Sequence, residues 1–205
     1  MTEAPTPRSM WEQRYSVDHY HYGTDPNEFL RANLELLPGG TTLCLAEGEG
    51  RNAVFLAATG REVHSVDLTE AGVAKTLRLA EQRGVHVAAV VGDLVVFDLG
   101  IDRWDAMVSI FAHMPPGVRR DVHRRVVAAL KPGGMFLLEA YTPAQIGRGT
   151  GGPSVAEMAM TLDGLREELA GLELVHAEEL DRDVVEGTGH TGVGAVVQVI
   201  ARKPI

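Results

Sequence analysis

Between residues 41 and 141 five short apolar runs alternate with longer stretches of helical pattern, and beyond residue 141 the alternation stops. Runs at 41–46, 61–67, 85–91, 104–111 and 134–141 read as strands, and 52–58, 70–82 and 116–130 as helices. A parallel neighbour cannot be reached through a tight turn, so this alternation demands a parallel sheet with right-handed crossovers. The run at 85–91 is continuously apolar, which predicts a strand buried on both faces. Pro116 suits a helix start, and Pro132 stops the same helix. After a glycine- and proline-rich loop at 142–155 and a helix at 156–170 come two further strands, near 172–180 and 193–202. The glycine-rich connection at 186–192 leaves no room for a crossover helix, so these two strands pair antiparallel. The expected fold is α/β: a doubly wound, mostly parallel seven-stranded sheet of Rossmann-like form that ends in an antiparallel hairpin. At 205 residues the chain suits one domain, 1–205, with an N-terminal lid or cap at 1–40 and a core at 41–205.

Residues 1–8 read as a frayed tail. The segment after them gathers Trp11, Tyr15, Tyr20 and Tyr22, is broken at Gly23 and Pro26, and leads into a helix at 27–37. With Arg14, His19 and His21 this leader carries more functional side chains than capping a sheet requires, so we expect a lid. A net charge of -9 argues against nucleic acid or an anionic membrane as partner. Arg119, Arg120, Arg124 and Arg125 read as a solvated helix face. Cys44, the single cysteine, reads as a small core residue in a reducing compartment. No signal-peptide pattern or membrane-length apolar run occurs, so a cytoplasmic protein is expected, either monomer or homodimer. The eight histidines show no metal-ligand spacing with cysteine, and no metal is expected.

The chemistry-bearing stretch joins the first strand to the next helix. Gly48-x-Gly50-x-x-Ala53 is a glycine turn of the dinucleotide-binding kind, Asp67 ends the second strand, and Gly92-Asp93-Leu94 follows the third. Such a turn lets backbone approach a ligand and points free helix N–H groups at it. A carboxylate ending the next strand can accept from two ribose hydroxyls, and Asp93 could accept from an adenine amino group. The spacing alone fits nicotinamide, flavin and S-adenosylmethionine sites equally.

Leu130-Lys131-Pro132-Gly133-Gly134, together with the terminal hairpin, resembles class I S-adenosylmethionine-dependent methyltransferases. Ala46-Glu47-Gly48-Glu49-Gly50-Arg51-Asn52, Ser109-Ile110-Phe111-Ala112-His113-Met114-Pro115 and Glu139-Ala140-Tyr141-Thr142-Pro143 are similar to the tellurite-resistance-type group within it, which acts on small molecules and thiols. The resemblance implies S-adenosylmethionine as cofactor and S-adenosylhomocysteine as product. It implies that Gly48 and Gly50 line the methionine portion, Asp67 with Leu68 the ribose, Asp93 and Leu94 the adenine, and Ser109, Ile110 and Phe111 the sulfonium. Asn52 and the leader's Tyr15 and Tyr22 join the cofactor set. In this superfamily an acidic residue stands two before the first glycine; here those positions hold Cys44 and Ala46, so Glu47 becomes the candidate for the ammonium group.

The reaction implied is displacement of a methyl group from a sulfonium by a small-molecule nucleophile, a thiol or a selenium or tellurium oxyanion. Such nucleophiles need little general-base help. Substrate-facing candidates from the strand ends are Phe111, His113, Tyr141, Gln145, Arg182 and His190, with His113 and Tyr141 the candidates for catalysis. Arg182 has an alternative reading as a surface ion pair with Asp181 or Asp183. Two other functions stay open: a nicotinamide-dependent oxidoreductase, which lacks a tyrosine–lysine pair here, and a non-catalytic adenosylmethionine-binding protein.

Overall fold

The computed structural model describes residues 6–205; the tail expected at 1–8 falls partly outside them. Seven strands, β1 (Thr41–Leu45), β2 (Glu62–Asp67), β3 (Ala88–Val91), β4 (Trp104–Ile110), β5 (Leu130–Tyr141), β6 (Glu173–Glu186) and β7 (His190–Arg202), form one sheet in the order β3-β2-β1-β4-β5-β7-β6. Pairs among β1–β5 are parallel; β5–β7 and β6–β7 are antiparallel. The doubly wound sheet with its terminal hairpin is therefore as expected. The strand order reverses between β1 and β4, which opens a crevice at their carboxyl ends.

Alternation along the strands divides the core between the two faces of the sheet. Leu43, Leu45, Met107, Phe136 and Leu138 pack under α5 (Pro116–Ala129) and α6 (Leu162–Glu168). Cys44, Val63, Ala106, Val108 and Leu137 pack under α3 (Arg51–Ala58) and α4 (Glu70–Gln82). Cys44 is fully buried, and burial raises its thiol pKa, as for a core residue.

Several expectations need correction. β3 is an edge strand only four residues long, and Val90 and Val91 are exposed, so its apolar run did not signal burial on both faces. Residues 7–8 are not tail: Thr6 caps Ser9 N–H and Pro7 opens α1 (Pro7–Tyr15). The helix at 27–37 breaks into α2 (Glu28–Ala32) and a 3-10 turn, where the Asn33 side chain donates to Phe29 O. The helix at 156–170 is interrupted because Met160 N–H bonds Tyr141 O beside β5, and Thr161 starts α6 anew by capping Gly164 N–H. Of the basic face, only part is solvated. Arg119 is buried on Glu168, which also binds His123, while Arg125 reaches the carbonyls of Leu94 and Phe97.

The hairpin runs six residues further than expected on β6, and its tip clasps the leader. Thr188 and Gly189 N–H both bond His21 O. A Cβ at Gly189 would stand 2.4 Å from the Tyr22 ring and 2.7 Å from that of His21, so only glycine permits this approach. Among the described residues no helix is long and apolar enough to cross a membrane.

Candidate active site

A cavity of about 800 Å³ opens at the carboxyl ends of β1, β2 and β4. This size suits a small-molecule site. Glu47, Asn52, Asp67, Leu68, Asp93, Leu94, Ile110 and Phe111 stand in its wall with Tyr15 and Tyr22. Trp11 and Arg14 of the expected lid also reach it, whereas sequence reasoning missed Pro7 and Met10 of α1, and Met114, Val118, Met158 and residues 151–154 on the opposite side. The α1 contribution had a signal: Met10, Trp11, Arg14 and Tyr15 share one helical face behind the Thr6-Pro7 start.

The turn after β1 is wired differently from the expectation of free helix N–H groups. Glu47 Oε1 accepts from both Asn52 N–H and Ala53 N–H at 2.8 Å, so the start of α3 is already capped by this chain's own carboxylate. Gly48 N–H donates to Asp67 Oδ2 at 2.8 Å, and Asp67 Oδ1 accepts from Thr69 N–H and its hydroxyl. Burial pushes the Glu47 carboxyl up to about 7 and raises that of Asp67. Gly48 and Gly50 stand behind the wall rather than in it. Gly50 has φ +95°, and a Cβ there would meet the Thr76 backbone at 2.6 Å; its work is to seat the turn on α4. Two non-glycine residues in the left-handed region face the cavity, Ala46 (φ 48°) and Phe111 (φ 52°), a strain that collects at ligand sites.

The leader is fastened over this turn by a buried ion pair. Lys75 Nζ bonds Glu49 Oε1 at 2.7 Å and His19 O at 2.6 Å, and Glu49 Oε2 accepts from Tyr22 N–H. Glu12 of α1 caps α4 by accepting from Glu70 and Ala71 N–H. Asn52 Oδ1 holds Asn27 N–H.

The substrate candidates divide. Phe111, His113 and His190 reach the cavity wall; Tyr141, Gln145 and Arg182 do not, and neither does Ser109, which is buried in β4. His113 is corrected as a base, because both ring nitrogens are engaged. Nδ1 lies 3.0 Å from Met158 O and Nε2 accepts from Tyr141 N–H, while burial drives its pKa down to about 4. Tyr141 is fully buried behind the Phe111 ring, 4.5 Å away, with its hydroxyl unpartnered and its pKa raised by burial. Gln145 is spent on Thr150, Gly151 O and Ala195 N–H. Arg182 pairs with Glu139, at 2.7 and 2.6 Å, and with Glu186 and Glu28 rather than with Asp181 or Asp183.

These groups form a buried polar cluster beneath the cavity. Asn27 donates to Glu139 and Glu186, Gln198 donates to Glu139, and Arg51 Nη2 binds Glu186 Oε2 at 2.5 Å. The neighbouring His190 and the Arg51 ion pair overcome burial and hold the Glu186 carboxyl down at about 2. Among the described residues no group of three or more His, Cys, Asp or Glu could hold a metal ion.

Comparison with known proteins adds the chemistry of this arrangement. A methyltransferase-domain family model matches residues 43–134, the stretch from β1 into the start of β5. The matched stretch contains the glycine turn, Asp67, Asp93 and Phe111, and the match is to a methyltransferase model rather than to a nicotinamide-binding one. No curated protein sequence matches the chain. Among solved structures, one describing conversion of a disulfide bond into a thioacetal group during echinomycin biosynthesis is 16% identical with TM-score 0.78, covering 95% of this chain and 91% of that one. TehB from Haemophilus influenzae is 18% identical with TM-score 0.70, covering 94% of this chain and 65% of its own. The [4+2]-cyclase SpnF is 17% identical with TM-score 0.71, covering 98% and 97%. These likenesses show the fold, that of the class I methyltransferases. The cyclase is a reminder that the fold alone does not choose the reaction.

Proposed function

We propose that the chain transfers the methyl group of S-adenosylmethionine to a small soft nucleophile, a thiol in preference to a selenium or tellurium oxyanion. The wall suits the cofactor on its donor chemistry. Asp67 faces the ribose hydroxyls and Asp93 the adenine amino group, with Leu68 and Leu94 as the apolar faces between them. Glu47 offers its second oxygen to the ammonium group, and the rings of Tyr15, Tyr22 and Phe111 favour a sulfonium by cation–π attraction. Bound there, S-adenosylmethionine supplies an activated methyl group. The protein's part is to position the acceptor and exclude water, with α1 and the Lys75–Glu49 clasp closing the leader side.

One observation carries the preference for a thiol. The acceptor side of the wall, Phe111, Met114, Val118, Pro153 and Met158, is apolar and offers no unpaired cation. Of the two arginines in the wall, Arg51 has its charge paired with Glu186 through Nη2, its buried Nη1 having no partner among the described residues, and Arg14 bonds Tyr22 and stacks on Trp11 at the leader. A hydrated oxyanion entering there would lose its solvation without a counter-charge. The echinomycin-related structure concerns chemistry at sulfur, which fits the same reading. A buried, lone Cys44 suits a cytoplasmic setting.

Calorimetry with S-adenosylmethionine, S-adenosylhomocysteine and NAD, followed by mass-spectrometric detection of methyl transfer to thiols, selenite, tellurite, amines and phenols, tests this reading. We expect binding of the first two ligands, not NAD, and methylated thiols. Transfer confined to tellurite or selenite would refute the thiol preference, and cofactor binding without any turnover would favour a binding protein.

A further inference from the structure

His190, so far only a substrate-facing candidate, stands at the start of β7 in the cavity wall with its side chain 8% exposed. Its Nδ1 points to Glu186 Oε2 at 3.6 Å, too long for a formed hydrogen bond, so that a small shift would close it. Nε2 is the nitrogen left for the cavity, and it has no hydrogen-bond partner among the described residues. The ring is fixed on three sides: Tyr22 at 4.6 Å, Phe111 at 4.7 Å and edge-on, and Tyr141 at 5.3 Å. Glu186 is fixed in turn by Arg51 and Asn27.

We propose that His190, oriented by Glu186, takes the proton of a thiol bound against Phe111. The proposal rests on the methyl-transfer reading above and names the group that makes the thiol reactive. A free thiol is mostly protonated at neutral pH, and its thiolate is the nucleophile. In the step the S–H bond breaks and its proton passes to His190 Nε2. The sulfur electron pair forms the new bond to the methyl carbon, and the electrons of the broken carbon–sulfonium bond stay on the departing sulfur. The imidazolium then gives its proton to water as the methyl thioether leaves. Glu186 accepts a hydrogen bond from Nδ1–H and compensates the charge that forms on the ring, the arrangement that general bases share.

The other two candidates are poorer bases. His113 has both nitrogens occupied, and Tyr141 lies outside the wall, shut behind Phe111. Around His190 the groups that set its proton affinity are Glu186 on β6, Arg51 on α3, Glu139 and Tyr141 on β5, Tyr22 and His21 of the leader, and His113 after β4. Burial lowers its pKa, which keeps the ring neutral and able to accept at neutral pH.

The test compares two thiols that differ in acidity. 2-Mercaptoethanol is protonated at neutral pH, whereas 4-nitrothiophenol is already ionised and needs no base. His190→Ala should lower kcat/KM for 2-mercaptoethanol by about 10²–10⁴-fold, and at least tenfold less for 4-nitrothiophenol. Equal losses on the two thiols would overturn the proposal. Nitrogen NMR of the wild-type protein with S-adenosylhomocysteine should show His190 as the Nδ1–H tautomer with Nε2 unprotonated, and Glu186→Gln should shift that tautomer balance. A protonated Nε2 in the wild type would overturn it even if the variants fail to fold. If the wild type methylates neither thiol the proposal fails; calorimetric binding of S-adenosylhomocysteine then shows whether the cofactor reading survives.

Discussion

Replacing Lys75 by methionine isolates what holds the leader over the glycine turn. Lys75 and Glu49 side chains are each only 2% exposed, and the ammonium makes two short bonds, to Glu49 Oε1 and His19 O. The variant keeps the apolar stem but strips Glu49 of its counter-charge, leaving one carboxylate contact, Tyr22 N–H at 3.2 Å. Removing one partner of a buried pair costs about 3–5 kcal/mol, a large part of the roughly 5–15 kcal/mol that keeps a domain folded. The chain has a cheaper response. Residues 16–23 can lift so that water reaches Glu49, and the loss is then capped at the free energy of releasing the leader. Tyr22 would leave the cavity wall with it. Urea unfolding followed by circular dichroism, paired with S-adenosylhomocysteine calorimetry, separates the two responses. The first gives a lower midpoint with affinity largely kept, the second a modest midpoint change with affinity down at least tenfold. Adding Glu49→Leu should restore stability in the first case, because the unpaired charge is gone. Stability within about 1 kcal/mol of wild type together with unchanged affinity would refute the idea that this pair fastens the leader.

Asp67→Ala should weaken S-adenosylmethionine binding by about 1.5–3 kcal/mol, roughly 10- to 150-fold in Kd by calorimetry. Because Asp67 also accepts from Gly48 and Thr69 N–H, a lowered melting temperature should accompany the loss. In the ligand-free protein, pH dependence pits two groups in the cavity wall against each other. His113, with its pKa near 4 when folded and 6.5 when unfolded, binds more protons unfolded, so its contribution is lost as pH falls from 6.5 towards 4. Glu47, near 7 folded and 4.5 unfolded, binds more protons folded, so stability is lost as pH rises from 4.5 to 7. Each is worth up to about 3 kcal/mol, and they offset one another across 4.5–6.5. Below 4.5 the contribution of Glu186 is lost as its carboxylate is protonated towards pH 2. Urea midpoints should therefore be flat from 4.5 to 6.5 and drop below 4.5, and Glu47→Gln should expose a decline beginning near 6.5. An unaltered profile in that variant would refute the account of Glu47.

The order of strands and helices was legible because each apolar run has the right length and the terminal pair has no room for a crossover. What the sequence concealed was position in the sheet. Val90 and Val91 look like core in a run of apolar residues, yet nothing in the run says that β3 closes one edge. At the site, residues that follow a strand end directly were readable: Asp67, Asp93 and Phe111 all reach the cavity. Tyr141, Gln145 and Arg182 also follow or lie near strand ends, but their fate depends on contacts far away in the chain. Arg182 meets Glu139 across β7, and Gln145 meets Ala195. A single sequence shows a charge but not the long-range partner that neutralises it.

Glu47 draws these threads together. With Cys44 in the core and Ala46 where a glycine is usual, the turn has lost the familiar acidic position, and its acid stands three residues later, at the mouth of α3. There one oxygen does the work that an incoming anion does at other glycine turns, capping two helix N–H groups. A capped helix start repels phosphate and attracts a cation, since the carboxylate sits between the helix end and the cavity. The same substitution pattern that weakens the turn as a dinucleotide phosphate cradle therefore strengthens it as a seat for an ammonium group. That ammonium should bind more tightly as pH rises through about 7 and Glu47 ionises. Calorimetry of S-adenosylhomocysteine between pH 6 and 8 would show the rise, and its absence in Glu47→Gln would tie it to this carboxylate.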